Sequence, residues 1–179
     1  MTSSIAGITG AILAAVMLAG PAAAQESNNR VAADTDWSVF IEDEPAKECW
    51  GVSAPKSWTA QRDGNDVTDD VRRGDILLFV TFRPGAGDAG EISYTGGYPF
   101  AEGSTVSMQV GSDSYDLFTD GEWAWAGGPD EDAKIVTALK KGASAVLVGR
   151  SSRGTQTTDT FSLLGFTAAM TEAENRCGN

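Results

Sequence analysis

The stretch DILLFVTFRP, from Asp75 to Pro84, decides the fold. Ile76, Leu77, Leu78, Phe79, Val80 and Phe82 leave only Thr81 polar among them, so both faces of a strand here are apolar and call for cover. The run is short, mixes aromatic with β-branched residues and stops at Pro84-Gly85, which favours a strand over a buried helix. A central strand is expected. Burying one such side chain contributes roughly 1.5 to 3 kcal/mol, so a polar substitution at Phe79 is expected to be severe.

Shorter strand patterns lie on either side of this run. Upstream, Trp37, Val39 and Ile41 alternate with Ser38, Phe40 and Glu42, and CWGVSA (Cys49 to Ala54) follows the acidic turn Glu42 to Pro45. Residues Gln25 to Asp36 read as a polar, disordered lead-in, and Ser57 to Asp70 as a loop or exposed hairpin. Downstream, Glu91 to Tyr94, Ser104 to Val110 and Tyr115 to Thr119 are separated by glycine-containing breaks, the pattern of an antiparallel meander. Pro129 to Gly142 is the first helix: acids at its start, Lys140 and Lys141 at its end, Gly142 as the stop, and Ile135, Val136 and Leu139 as its apolar stripe. Ala143 to Gly149 and Thr157 to Leu164 are strands, and Phe166, Ala169, Met170, Ala173 and Cys177 fall at helical spacing. The fold class is mainly β: an antiparallel β-sandwich or partly closed barrel with two short helices in the C-terminal third.

The amino terminus indicates the compartment. An apolar run from Ile5 to Ala19, then Gly20-Pro21 and Ala22-Ala23-Ala24, has the order of a secretory leader with cleavage after Ala24. One domain, residues 37–179, is expected after the leader and lead-in, in the periplasm or secreted. Net charge is −12, with no acidic or basic residue in the first 24, which makes nucleic acid and anionic membrane surfaces poor partners. Residues 25–70 hold eleven acids against four bases, read as a solvated face. Two cysteines in an oxidising compartment, Cys49 and Cys177, imply one disulfide tying an early strand to the last helix.

Histidine is absent, which removes Ser/His/Asp and Cys/His catalysis and nearly every catalytic zinc site; no cofactor is expected. Gly85 to Gly90 matches GxGxxG, but a strand-like run follows where a dinucleotide fold needs a helix. Arg73-Gly74-Asp75 is the tripeptide that integrins read, here running straight into the apolar strand. Asp63, Asn65, Asp66, Asp69 and Asp70 crowd oxygens into one loop, but Val67, Thr68 and a missing closing glutamate break EF-hand spacing, leaving a weak calcium site at most. Trp123 and Trp125 share one face of a short extended segment; core packing is the expectation, and a platform for a sugar or protein the alternative. Arg150 and Arg153 are expected to pair with Asp159, with a polysaccharide or anion contact as the alternative.

RRGDILLFVTFRPGAG (Arg72 to Gly87), TGGYPF (Thr95 to Phe100), GEWAW (Gly121 to Trp125) and GRSSRGTQTTDTFSLLGF (Gly149 to Phe166) together resemble the invasion-associated locus B family of alphaproteobacterial envelope proteins. The likeness runs from Trp37 to Cys177, both cysteines included. It implies an exported protein, with some pathogenic members linked to host-cell entry, and it brings no catalytic residues. The expected function is therefore non-enzymatic binding of an envelope or host-surface protein or polysaccharide. The alternative is a carboxylate-dependent glycoside hydrolase or carbohydrate-binding module.

Overall fold

A computed structural model describes residues 29–85 and 90–178; the leader and the first four residues of the lead-in lie outside them. Twelve strands are found among the described residues. They are β1 (Arg30–Asp34), β2 (Trp37–Glu42), β3 (Glu48–Ser53), β4 (Ser57–Arg62), β5 (Asn65–Asp66), β6 (Leu77–Phe82), β7 (Glu91–Thr95), β8 (Thr105–Val110), β9 (Asp113–Asp120), β10 (Trp123–Trp125), β11 (Ser144–Arg150) and β12 (Gln156–Ser162). Helix α1 spans Pro129–Lys141 and α2 Phe166–Cys177. The strands form one antiparallel sheet in the order β1-β2-β3-β6-β7-β10-β9-β8-β11-β12-β4-β5. The fold class is as expected from the sequence, with the sheet left open rather than closed.

The expected central strand is β6, held between β3 and β7. Leu78, Val80 and Phe82 point inward and are buried, but Leu77, Phe79 and Thr81 point outward and are half-buried. The run is apolar on both faces, yet no second layer covers the outer one among the described residues. Phe79 is therefore less costly to replace than the sequence suggests, since part of its surface is in water in the folded state too.

The sheet curls until the inner face of its first half meets the inner face of its second. Trp37 Nε1 on β2 donates to Ser162 O at the end of β12 at 3.0 Å, and the Tyr94 ring on β7 meets that of Phe161 on β12 edge to face at 6.2 Å. Helix α2 covers the inner side of β1, β2 and β3, where Phe166 packs edge-on against Trp37 at 4.9 Å. Close approach depends on Gly51: a Cβ there would lie 1.9 Å from Met170 Cε. The Cys49–Cys177 disulfide, with Cα atoms 5.7 Å apart, fixes the end of α2 to β3. By the chain-entropy account, closing a loop of 128 residues contributes up to about 5 kcal/mol.

One expectation needs amendment, and another is decided between its two alternatives. Arg30–Asp34 is not a disordered lead-in but an edge strand paired with β2, with Ala32 packed on the core; five residues without a strong period-two pattern conceal it. Ser57 to Asp70 is a hairpin, β4 and β5, turning at Asp63 (φ 51°) and Gly64 (φ 80°), the positive-φ pair a two-residue hairpin needs.

Candidate functional site

Strand alternation sets up the outer face. In β10, Ala124 points inward and is fully buried, so Trp123 and Trp125 must point out. Trp123 is 39% exposed and Trp125 half-buried, which corrects the expectation of core packing for both. Trp125 lies opposite Phe118 of β9, itself 60% exposed. On the other side, β7 sets Thr95 and Ser93 opposite Trp123 and Trp125, small enough for larger rings to meet above them. Trp123 reaches Phe79 of β6 there at 5.7 Å and stacks on Trp125 at 6.3 Å, leaving Ser93 and Thr95 buried beneath. Farther along the same face, Phe40 and Trp50 stack at 5.7 Å with planes 8° apart. Two aromatic clusters thus lie on the outer face, Phe40 with Trp50 on β2 and β3, and Phe79, Trp123, Trp125 and Phe118 on β6, β10 and β9. Of the five tryptophans, all described, only Trp37 is fully buried.

The inner face carries a polar keystone instead. Asp159 on β12 is fully buried and receives Nη1 and Nη2 of Arg73 at 2.6 and 2.7 Å, and also the Tyr94 hydroxyl. Arg73 Nε donates to Gly96 O at 2.8 Å, and its guanidinium lies between the Trp58 and Tyr98 rings, 5.0 and 5.1 Å from their centroids. A bidentate pair between two aromatic faces is the geometry in which arginine best tolerates burial. Burial works against the Arg73 proton, but the Asp159 hydrogen bonds and charge outweigh it and hold the pKa above its ordinary value. Burial, then the Asp159 charge and hydrogen bond, push the Tyr94 hydroxyl far above the ordinary tyrosine range. Burial also raises Tyr98, whose hydroxyl lies 2.5 Å from Thr157 Oγ1.

Several motifs find their place through this keystone. Arg73 is committed to Asp159 with its side chain 4% exposed, so Arg73-Gly74-Asp75 cannot present its arginine to an integrin. The expected pairing of Arg150 and Arg153 with Asp159 is not found: both carboxylate oxygens are taken by Arg73, with Tyr94 as a third donor. Both arginines are exposed and make no ion pair among the described residues. Arg153 lines a cleft beside the keystone and Arg150 does not. The Asp63 to Asp70 oxygens close the hairpin, with Asp66 Oδ1 accepting from Thr68 N at 2.8 Å. Among the described residues, no three Cys, Asp or Glu side chains converge as a metal site requires. Four residues of the GxGxxG match lie outside the described residues, and strand β7 follows it.

Sequence reasoning missed Arg73, Tyr94 and Asp159 as a unit, because Arg73 and Asp159 lie 86 residues apart and neither has a local pattern. Asp132, one of the acids at the start of α1, does more than its place in the first turn suggests: it is buried, and its Oδ1 accepts from the Ile92 N–H at 2.8 Å, docking α1 onto β7. Desolvation raises its pKa, and the Ile92 hydrogen bond opposes that in part.

The model of the Invasion associated locus B (IalB) protein family matches residues 37–174. The chain belongs to the invasion-associated locus B family. The crystal structure of invasion associated protein B from Bartonella henselae shares the fold, with a TM-score of 0.54 at 15% identity, covering 81% of this chain and 96% of that one. Curated protein sequences give no match. The segments that carry the invasion-associated locus B resemblance converge in space. Arg73 comes from the first, Gly96 and Tyr98 from the second, Trp123 and Trp125 from the third, and Thr157, Asp159 and Phe161 from the fourth. They build the keystone and the Phe79, Trp123 and Trp125 cluster of the outer face.

Proposed function

We propose that this family member is an exported envelope protein that acts by binding a protein or surface polymer rather than by catalysis. One observation carries the reading: the row Phe79, Trp123, Trp125 and Phe118 sits on the open face of the sheet, with Trp123 and Phe118 substantially exposed. A contiguous exposed aromatic patch on a soluble domain is the usual mark of an interaction surface, and aromatic rings suit both protein partners and sugar faces. Export is supported by the Cys49–Cys177 disulfide, which persists in oxidising compartments, and by the leader pattern of the first 24 residues. Among the described residues no helix is long and apolar enough to cross a membrane. Family membership, and the words "invasion associated" attached to the Bartonella henselae protein, support a role at the cell envelope that some relatives turn to host contact.

A hydrolase needs a general acid whose pKa is raised within a cleft. Among the described residues, Asp132 is the carboxyl whose pKa burial raises, and its Oδ1 is engaged by the Ile92 N–H beneath α1, which favours the binding reading. Chemical crosslinking in intact cells, followed by mass spectrometry of the recovered protein, tests the proposal. A reproducible envelope partner whose crosslinks map to β9, β10 or β6 is the expected result. Crosslinks confined to the opposite side of the domain, or hydrolysis of a glycan by the purified protein, would overturn it.

A further inference from the structure

The cleft beside the keystone has a volume of about 630 Å³, within the range of small-molecule sites. It lies between the segment that follows β4, the loop at Gly97 to Pro99 and the turn at Ser151 to Thr155. Its charge is opposite to that of the chain as a whole. The protein carries −12, yet four of its thirteen basic residues, Arg62, Arg72, Arg73 and Arg153, line this one cleft, against the carboxylates of Asp70 and Glu122.

Arg73 is neutralised by Asp159 and forms part of the wall. The other three make no ion pair among the described residues. Arg62 donates Nε and Nη2 to the hydroxyl of buried Thr155, at 3.0 and 2.6 Å, a contact that fixes the guanidinium without cancelling its charge. Arg72 makes only a long contact, 3.4 Å, with the Asp69 carbonyl, and Arg153 is exposed. Arginines gathered in a cleft, one of them pre-oriented, are what recognition of a carboxylate or phosphate requires.

We infer that this cleft is an oxyanion-binding site, taking a carboxylate or phosphate group either on a small ligand or at the end of an acidic polymer. The site is separate from the aromatic face and does not depend on that reading, although Glu122 on its rim is the chain neighbour of Trp123.

Calorimetric titration of the purified protein with inorganic phosphate, glucuronate, glucose and trigalacturonate tests it. Phosphate and glucuronate are expected to bind saturably and glucose not at all. Arg72→Gln combined with Arg153→Gln should weaken binding at least tenfold with an unchanged melting temperature, because both side chains are exposed and unpaired. Arg150→Gln and Trp123→Ala should leave anion binding intact. Trigalacturonate binding tenfold or more tighter than glucuronate assigns the polymer source; equal affinity assigns the small anion. No saturable binding of either phosphate or glucuronate, or equal affinity in the double arginine variant, would overturn the assignment.

Discussion

The two faces of the strands β6, β7 and β10 are built from alternating residues of the same short segments and do opposite things. Inward, Leu78, Val80, Tyr94 and Ala124 are fully buried, and Asp159 of β12, a fully buried acid that Tyr94 reaches there, has three donors. Outward, Phe79, Trp123 and Trp125 stack on one another and stay partly in water. Large aromatic residues therefore need not mark the core. What separates the faces is whether the second half of the sheet, curled over, meets them.

The sharpest way to break the contrast is at the keystone. Asp159→Asn leaves the Arg73 cation buried without a counter-charge, and removing one partner of a buried pair costs about 3 to 5 kcal/mol. Urea unfolding should show a loss of that size; a change below about 1 kcal/mol would mean that the pair is solvated.

Neighbouring residues of a single strand give the next test. Leu78→Ala, on the closed face, should cost about 2 to 5 kcal/mol, and Phe79→Ala, on the open face, about 1 to 2 kcal/mol although the side chain removed is larger. Equal losses would mean that the outer face is covered.

Much of this was legible in the sequence, and the reason differs by element. The run at Asp75 to Pro84, the two helices and the disulfide were readable because local periodicity and the cysteine count carry them. Which face of β10 is buried was not readable, since Trp-Ala-Trp alternates either way and the answer lies in the pairing that sets Ala124 beside buried Tyr94 of β7. The partner of Asp159 was unreadable for another reason: nearby Arg150 and Arg153 look closer in sequence, while Arg73 is brought there by the curl of the sheet. Only the family resemblance flagged the segments that meet.

The keystone also leaves a weaker signature in pH. An unfolded tyrosine ionises near 10.0, while folded Tyr94 keeps its proton well above that, so the unfolded state alone loses a proton there and stability falls as pH rises past 10. Below that value this group adds no pH dependence. Absorbance titration at the tyrosinate band should show fewer than three tyrosines ionising while the fold persists, with the remainder appearing on unfolding. Full ionisation of all three in the folded protein would show that Tyr94 is open to solvent.

The smallest effect on folding is expected where function is placed. Trp123→Ala should change stability by no more than about 1 kcal/mol, because the ring is already partly exposed and the segment is held by main-chain pairing on both sides. Measured together, its urea midpoint and its yield of crosslinked partner in cells test the division between the two faces most directly. The account predicts a midpoint close to that of the unaltered protein and a crosslink that disappears. A midpoint as low as that of Leu78→Ala, with the crosslink retained per folded molecule, would contradict it and return Trp123 to the core.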